Sequence, residues 1–244
     1  TGIVIGAIEN DGNGNGSGHV RVYEYDEAKT TAVTDQNSST FGPIGWNRVG
    51  GDIDGETIYD YFGYSVAMNS SGTRIAIGAP SSDNQTYEFF GHVRVYDYNG
   101  SSWTQVGGDI DGLYDDDNSG HSVAMSSDGT KIIIGARSYD GVNGIETGCG
   151  LVYEYNSGSW SLLGNVIDNG VDSDQSGRSV AMSSNGTRIA IGAIYNDGNG
   201  VDSGKVQVFD YKIPTAEEWS SKTIMKGSDT TQQANVYYWT QVAN

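Results

Sequence analysis

The chain has 244 residues, with 36 glycines, 16 tyrosines and a formal net charge of −18. Nucleic acid and anionic membranes are disfavoured as partners, because 13 basic against 31 acidic residues do not supply the clusters that bind phosphate. A single cysteine, Cys149, excludes an intrachain disulfide framework, and no apolar run reaches the length of a transmembrane helix.

The first predicted strand opens the chain as TGIVIGA, and its pattern recurs at 73–79, 130–136 and 187–193. In the later copies bulky isoleucines at Ile75 and Ile77 alternate with small residues at Ala76 and Gly78. Both faces are therefore apolar, which predicts a strand packed on both sides. Four copies of one long pattern indicate four similar structural units.

Two further strands follow in chain order. Valine and tyrosine alternate with polar residues at 18–25, 91–98, 148–155 and 204–211, which predicts a half-exposed strand. The next strand begins at a tryptophan and runs on as WNRVGGDIDG or a similar sequence. We interpret this tryptophan as packing, with sugar stacking as the alternative. It stands at Trp46, Trp103, Trp160 and Trp239.

The remaining strand, the first of each unit, is predicted at 64–68, 121–125 and 178–182, and the sequence itself starts at the second strand of a unit. A four-residue turn with a terminal glycine, as at 69–72, joins it to the isoleucine strand. The segment 213–238 departs from this pattern and is interpreted as a long excursion between strands.

Short strands, frequent turns and no helical period predict an all-β fold, a β-propeller of about four four-stranded blades of about 57 residues. The blades are a partial 1–55, then 56–112, 113–170 and 171–244, in a single repeat region. Because the repeat is cut inside a blade at both ends, we expect the chain to be a fragment of a longer one.

The residues Phe62-Gly63 and Gly78-Ala79-Pro80 carry a family resemblance. They resemble the FG…GAP pattern of FG-GAP repeats, the blades of integrin-α-type β-propellers, and the units are similar to tandem repeats of marine bacterial and algal surface proteins. The resemblance implies a seven-bladed ring, a cell-surface or secreted location, and adhesion or scaffolding. The calcium loop of that family is not carried over, because the equivalent turns hold at most one acid, Asp128.

Two DIDG segments and the acids that follow them give a separate candidate calcium site. Calcium requires six to eight oxygen ligands, several of which are carboxylates of a flexible loop. The alternative is that recurring aspartates accept backbone N–H groups and fix turns. The candidate ligands are Asp52, Asp54, Glu56, Asp109, Asp111 and Asp115. Calcium is the one candidate cofactor.

The loops after the isoleucine strands differ between copies, and variable loops on a rigid scaffold commonly carry binding. They span 9–17, 81–90, 138–147 and 195–203. Three aromatic residues in the second loop, Tyr87, Phe89 and Phe90, are candidate ligand contacts, with local packing as the alternative. A protein or a glycan at the cell surface is the expected partner, within a larger assembly.

No catalytic arrangement is predicted. The histidines His19, His92 and His121 have no metal-site spacing, and Cys149 is interpreted as a structurally neutral thiol. Six N-glycosylation sequons begin at Asn15, Asn37, Asn69, Asn84, Asn99 and Asn185. We therefore expect a non-enzymatic extracellular propeller that serves adhesion, structure or protein interaction in a larger surface or filament protein. A carbohydrate-binding propeller is the alternative, and a hydrolase is a weaker one.

Overall fold

The computed structural model describes residues 1–81, 90–168, 170–212 and 238–242. All regular elements in these residues are β-strands, and no helix among them is long and apolar enough to cross a membrane. Most of the predicted excursion at 213–238 lies outside the described residues, as do Tyr87 and Phe89.

The strands form four antiparallel sheets that follow one another along the chain. The first holds β1 (Gly2–Ala7), β2 (His19–Tyr25), β3 (Trp46–Arg48) and β4 (Ile53–Asp54). The second holds β5 (Ser65–Met68), β6 (Arg74–Ala79), β7 (His92–Tyr98), β8 (Trp103–Gln105) and β9 (Ile110–Asp111).

The third sheet holds β10 (Ser119–Met125), β11 (Lys131–Ala136), β12 (Cys149–Asn156) and β13 (Ser159–Leu162). The fourth holds β14 (Ser176–Met182), β15 (Arg188–Ala193), β16 (Lys205–Lys212) and β17 (Tyr238–Gln241). In the last three sheets the strands lie side by side in chain order, whereas the first begins at the isoleucine strand β1. The sheets are blades of a β-propeller, numbered 1 to 4 here.

The strand that starts at tryptophan is interrupted, contrary to the prediction of one continuous strand. In blade 1, β3 and β4 both pair with β2, and in blade 2, β8 and β9 both pair with β7. Gly50 and Gly107 lie in these interruptions with φ of 74° and 76°. This left-handed backbone, which glycine adopts without steric cost, breaks the strand.

The core lies between successive blades, as the two apolar faces of the isoleucine strand predict. Ile75 and Ile77 of blade 2 pack with Val20 and Val22 of blade 1. The equivalent isoleucines of blades 3 and 4 likewise pack in clusters with residues of the preceding blade. Each blade therefore buries its apolar surface against its neighbour.

Glycine in the isoleucine strand permits a close contact with the next blade. A Cβ atom on Gly135 would lie 1.9 Å from the carbonyl oxygen of Gly177. Likewise, a Cβ atom on Gly78 would lie 2.1 Å from the carbonyl oxygen of Gly120. At both positions the Cβ of any larger residue would overlap the carbonyl oxygen of the next blade.

Candidate interaction surface at the loop end of the blades

Loops of neighbouring blades are hydrogen-bonded to each other at one end of the propeller. The amide of Tyr59 donates to the carbonyl of Asn15 at 2.9 Å, between blades 2 and 1. Between blades 4 and 3, the amide of Ser173 donates to the carbonyl of Ile145 at 2.9 Å. We call this surface the loop end, and its described loops are 8–18, 55–63, 112–118, 137–148, 170–175 and 194–204.

A buried aspartate anchors the loop that precedes the first strand of blades 2, 3 and 4, namely β5, β10 and β14. Asp117 accepts hydrogen bonds from the amides of Leu113 and Tyr114 at 3.1 and 2.8 Å. Asp60 and Asp174 hold equivalent positions, and all three side chains are buried. Burial raises the pKa of Asp117 to about 6, because the charged form loses its hydration.

The same loops hold residues in the left-handed backbone region. Tyr59, Asp116 and Ser173 have φ of 62°, 61° and 66°, although none is glycine. The residues two positions later, Tyr61, Asn118 and Gln175, have φ of 51°, 54° and 51°. Such conformations cost free energy and persist where surrounding contacts impose them. The loop end is therefore a defined conformation that repeats in three blades.

Apolar side chains project into solvent from both sets of loops at the loop end, those that follow the isoleucine strands and those anchored by the buried aspartates. Val142 is 94% exposed and Val201 is 87% exposed. Other exposed apolar residues of the loop end are Ile58, Tyr114, Ile145 and Val171. Asp140 and Asp172 lie in the same loops and accept amide hydrogen bonds. The apolar side chains give the loop end apolar surface that is exposed to solvent.

Of the predicted ligand contacts, only Phe90 lies in the described residues. It is half-buried, and its carbonyl oxygen accepts a hydrogen bond from the amide of Ser119 at 3.2 Å. The contact role of Tyr87, Phe89 and Phe90 stays a prediction.

Three of the six predicted calcium ligands are paired with arginine. Asp52 pairs with Arg21 at 2.6 Å and with Arg48 at 2.9 Å. The hydrogen bond from Arg21 lowers the pKa of Asp52. Arg94 pairs with Asp109 at 2.7 Å and with Glu56 at 2.8 Å.

The other three candidates lie apart from these ion pairs. Asp54 pairs with His19 on the neighbouring strand, and Asp111 pairs in the same way with His92. Asp115 is exposed in a loop. The described residues contain no group of three acidic, histidine or cysteine side chains that could hold a metal ion. Calcium binding stays a prediction.

The recurring aspartates and turn residues act on the backbone. Asp128 accepts hydrogen bonds from the amide and hydroxyl of Thr130, both at 2.9 Å. Asp11 and Asp197 accept from amides five residues later, both at 2.8 Å. These contacts stabilise turns, the alternative that the sequence left open.

The sequon asparagines differ in their surroundings. Asn15, Asn37, Asn99 and Asn185 are exposed, whereas Asn84 lies outside the described residues. Asn69 is buried, and its side-chain oxygen Oδ1 accepts hydrogen bonds from the backbone amides of Thr73 and Arg74, both at 3.0 Å. A glycan on Asn69 would require this side chain to leave its turn.

Cys149 and the histidines do not form one site in the described residues: Cys149, His19 and His92 are buried in their sheets, whereas His121 is half-buried. Cys149 is buried, and burial raises the pKa of its thiol. Burial lowers the pKa of His19 and His92, and it lowers that of His121 to about 4. His121 lies in a different strand, with its Nε2 3.3 Å from the hydroxyl of Tyr64.

A groove of about 410 Å³ opens between blades 2 and 3 at the opposite, turn end. Tyr98 and Tyr155 line it together with Asp97 and Asp128. The guanidinium of Arg74 lies 4.8 Å from the centre of the Tyr155 ring and pairs with Asp97 at 2.6 Å. The groove thus combines aromatic and charged groups.

The loop-end arrangement was missed by sequence reasoning. The spacing of Asp60, Asp117 and Asp174 was visible, but it did not reveal which amides these carboxylates accept. The exposed apolar residues were not singled out either, although Val142 and Val201 each occur between glycines and polar residues in a variable loop. An apolar residue in such a polar, glycine-containing loop was the signal that could have indicated an exposed apolar side chain.

One part of the chain matches a known family model. Residues 166–209, which lie mainly in blade 4, match the model of the FG-GAP repeat. It reads Ser176-Gly177 and Gly192-Ala193-Ile194, whereas the full Phe-Gly and Gly-Ala-Pro pattern stands in blade 2. A comparison with curated proteins finds no match.

Two solved structures are similar at low identity. The tricorn protease is 12% identical with a TM-score of 0.38, over 84% of this chain and 21% of that chain. A protein provisionally described as a 6-phosphogluconolactonase from Bacteroides uniformis ATCC 8492 is 11% identical with a TM-score of 0.37, over 86% and 64% of the two chains. This chain therefore spans less than two thirds of either protein.

Proposed function

From the premise that this chain carries an FG-GAP propeller repeat, with three further blades of similar construction, we propose that it is a non-enzymatic protein-interaction module. We place it in a larger extracellular protein, at the cell surface or in a filament, where it serves adhesion or scaffolding. Its partner is a protein at the cell surface.

The observation that carries this proposal is the exposed apolar set on the loop end. Val142, Ile145 and Val201 project from loops whose backbone is fixed by interblade bonds or by aspartate. A preformed surface binds at a smaller entropic cost than a loop that must become ordered. The apolar side chains would supply buried area, and the surrounding carboxylates would favour a basic partner.

A non-enzymatic role is supported by the state of the candidate nucleophile and bases. Cys149 is buried with a raised pKa, so its thiol stays protonated and unreactive near neutral pH. Burial, together with the nearby Arg137 and Arg178, lowers the pKa of His121 to about 4. Within the part of the chain that the structure describes, Cys149 and His121 are not paired with each other, and the hydroxyl beside His121 is that of Tyr64, at 3.3 Å.

The test measures attachment of beads coated with the chain to intact cells of the producing organism. The variant Val142→Ser/Ile145→Ser/Val201→Ser is expected to reduce attachment severalfold. Leu162→Ser removes an exposed apolar side chain from β13, away from the loop end, and serves as the matched control. Equal attachment by the triple variant and the native chain would reject the loop end as the adhesive surface.

A carbohydrate-binding propeller is the second candidate, favoured by the groove at the turn end. The Tyr98 ring would stack on a sugar, and Arg74, Asp97 and Asp128, which already bond within the protein, would supply the polar contacts around it. A glycan array would show selective binding that Tyr98→Ala removes. Binding that is lost instead on Tyr87→Ala or Phe90→Ala would move the sugar site to the loop 81–90.

A further inference from the structure

Two arginines of this acidic chain have no carboxylate partner within the described residues: Arg137 and Arg178. The other arginines form ion pairs with aspartate, and they are Arg21, Arg48, Arg74, Arg94 and Arg188. The chain carries 31 acidic residues against 13 basic ones. In such a chain an arginine stays unpaired only where the fold keeps carboxylates away from it.

The two unpaired arginines lie beside one histidine. Burial, together with the charges of Arg137 and Arg178, lowers the pKa of His121. Among the described groups that shift this pKa there is no carboxylate. The hydroxyl of Tyr64 lies 3.3 Å from His121 Nε2, and the two ring centres are 4.9 Å apart. We call these four residues, Tyr64, His121, Arg137 and Arg178, the arginine–histidine cluster.

The cluster occupies positions at which the copies of the repeat differ. Tyr64, His121 and Arg178 hold the same place in blades 2, 3 and 4, directly after the glycine that lies against the preceding blade. They come together because β10 packs against both β5 and β14. Arg137 directly follows the isoleucine strand of blade 3, where the other copies have an apolar residue, namely Ile8, Pro80 and Ile194. The repeat itself therefore does not require a cation at either place.

Several polar atoms of the cluster have no partner in the protein. Nε of Arg137 and Nδ1 of His121 are buried and make no hydrogen bond in the part of the chain that the structure describes. The backbone of Arg178 also acts on the His121 ring, but not at a distance and angle that would give Nδ1 a normal hydrogen bond. A buried polar atom without a partner costs free energy, so a ligand that pairs with it is favoured.

The Arg178 guanidinium is held in place and still has donors to offer. Its Nη1 donates to Oε1 of Gln175 at 3.0 Å, and its central carbon lies 5.9 Å from the centre of the Tyr195 ring. A guanidinium group carries more N–H donors than this one bond uses. Because the side chain is already positioned, a ligand would bind it at a small entropic cost.

These groups suit an anion with terminal oxygen atoms. Guanidinium groups form short, charge-assisted and often bidentate hydrogen bonds with carboxylates and with phosphate-like anions. An anion bound to Arg137 and Arg178 together would also relieve the repulsion between their charges. The net charge of −18 opposes large polyanions, so a small anion held by short contacts is favoured.

We propose that the arginine–histidine cluster is a binding site for a small oxyanion, a carboxylate or a sulfate-like group, which Arg137 and Arg178 hold together. The hydroxyl of Tyr64 and the ring of His121 provide further polar contacts at the same place. This inference goes beyond the proposed function, because the cluster is distinct from the exposed apolar residues of the loop end. It stands even if the loop end is not adhesive.

The test follows the ring resonances of the three histidines by NMR while the native chain is titrated with sulfate at pH 7. Sodium chloride keeps the ionic strength constant. We expect a saturable shift of the His121 resonances, with His19 and His92 as internal controls that do not shift. A parallel titration with acetate distinguishes a sulfate-like ligand from a carboxylate, and saturable binding of either anion supports the proposal. Absence of a saturable His121 shift with both anions would overturn it.

Two variants test the arginines. Arg137→Gln and Arg178→Gln are each expected to weaken binding about tenfold or more, because each removes charge-assisted hydrogen bonds. Arg188→Gln is the matched control, since it removes an arginine that is paired with Asp210 at the turn end, and it is expected to leave binding unchanged. Unchanged binding by both test variants, or equal weakening by the control, would overturn the proposal.

The pKa of His121 gives a second measurement on the native chain, which does not depend on the folding of a variant. Sulfate stays ionised throughout the titration range of histidine. Bound next to His121, it is expected to raise the pKa of the imidazole above about 4, because the charged form gains a nearby anion. A pKa that is the same with saturating sulfate as without it would show that the anion does not bind at this cluster.

Discussion

The indole N–H of Trp103 donates to the carbonyl oxygen of Val49 in the preceding blade, at 2.8 Å. Equivalent bonds join Trp160 to Val106 at 3.0 Å and Trp239 to Leu163 at 2.9 Å. Each accepting residue lies three positions after the tryptophan of its own blade. The tryptophan therefore joins each blade to the one before it, and this contact explains its recurrence.

Replacing Trp160 by phenylalanine tests the contribution of this bond. Trp160→Phe keeps an aromatic ring but leaves the carbonyl of Val106 without its donor, which is expected to lower the free energy of unfolding by about 1–2 kcal/mol. Urea denaturation followed by circular dichroism measures it. Trp46→Phe is the matched control, because in the described structure the indole N–H of Trp46 has no acceptor. A loss as large for Trp46→Phe would contradict the interblade explanation.

The close contact between blades predicts a large effect of a single methyl group. Gly135→Ala would place a Cβ 1.9 Å from the carbonyl oxygen of Gly177, and the blades must separate to relieve it. We expect a loss of stability of about 2–3 kcal/mol. Gly192→Ala is the control, because its Cβ would meet only Ser179 of its own blade, at 2.4 Å, as that of Gly135 meets Ser122. Thermal unfolding of both variants decides whether the interblade contact sets the difference.

The strands and their packing could be predicted from the sequence, because the information is local. The alternation of Ile75 and Ile77 with Ala76 and Gly78 indicated a strand with two apolar faces, and all four lie in β6 in the blade core. Terminal glycines such as Gly129 marked the turns, and its φ is 74°. The all-β propeller fold is confirmed.

The loop end could not be predicted, because its geometry depends on contacts between blades. Nothing in the residues around Tyr59 indicates φ of 62°, which accompanies a backbone bond to Asn15, 44 positions earlier. The acids of the DIDG segments were also ambiguous. Asp52 and Asp109 fitted a calcium loop by type, and only the register of β2 and β7 reveals Arg21 and Arg94 beside them.

His121 predicts a pH dependence of stability. Its pKa is lowered to about 4 in the folded chain, so between pH 4 and its ordinary value of 6.5 the unfolded chain binds more protons. Stability from this group therefore rises as the pH increases through that window. His121→Phe removes the titrating group. At pH 4.5 the free energy of unfolding of the variant, relative to that of the native chain, is expected to be about 1–2 kcal/mol higher than at neutral pH. This figure allows for the partial exposure of His121.

The comparison between variant and native chain at each pH is essential here. Asp117 has its pKa raised to about 6, so its contribution to stability falls as the pH rises from about 4 to 6, opposite in sign to that of His121. Its contribution cancels when the two proteins are compared at one pH. A stability difference between them that is constant from pH 4 to 7 would show that His121 does not titrate as described.

Substitution of Asp109 tests whether this carboxylate serves an ion pair or binds calcium. It accepts hydrogen bonds from Arg94 and from Gln105 at 2.7 Å, and the side chain of Arg94 is buried. Asp109→Asn is expected to cost about 1–3 kcal/mol in excess calcium and in excess chelator alike. Glu27→Gln, at an exposed carboxylate that is not a calcium candidate, is the control. A loss seen only with calcium present would support the calcium prediction instead.

The thiol of Cys149 is expected to be unreactive until the sheet opens. It is fully buried in β12, and burial raises its pKa well above the ordinary value, with Asp117 and Asp168 adding in the same direction. The thiolate is the reactive form, so an aromatic disulfide reagent should react slowly with the native chain at mildly alkaline pH and completely with the urea-unfolded chain. The absorbance of the released aromatic thiolate measures both rates. In the native sheet Cys149 stands opposite Ala136, in the pairing of β12 with β11. Rapid reaction of the native chain would contradict the prediction, because it would show that these two strands separate often.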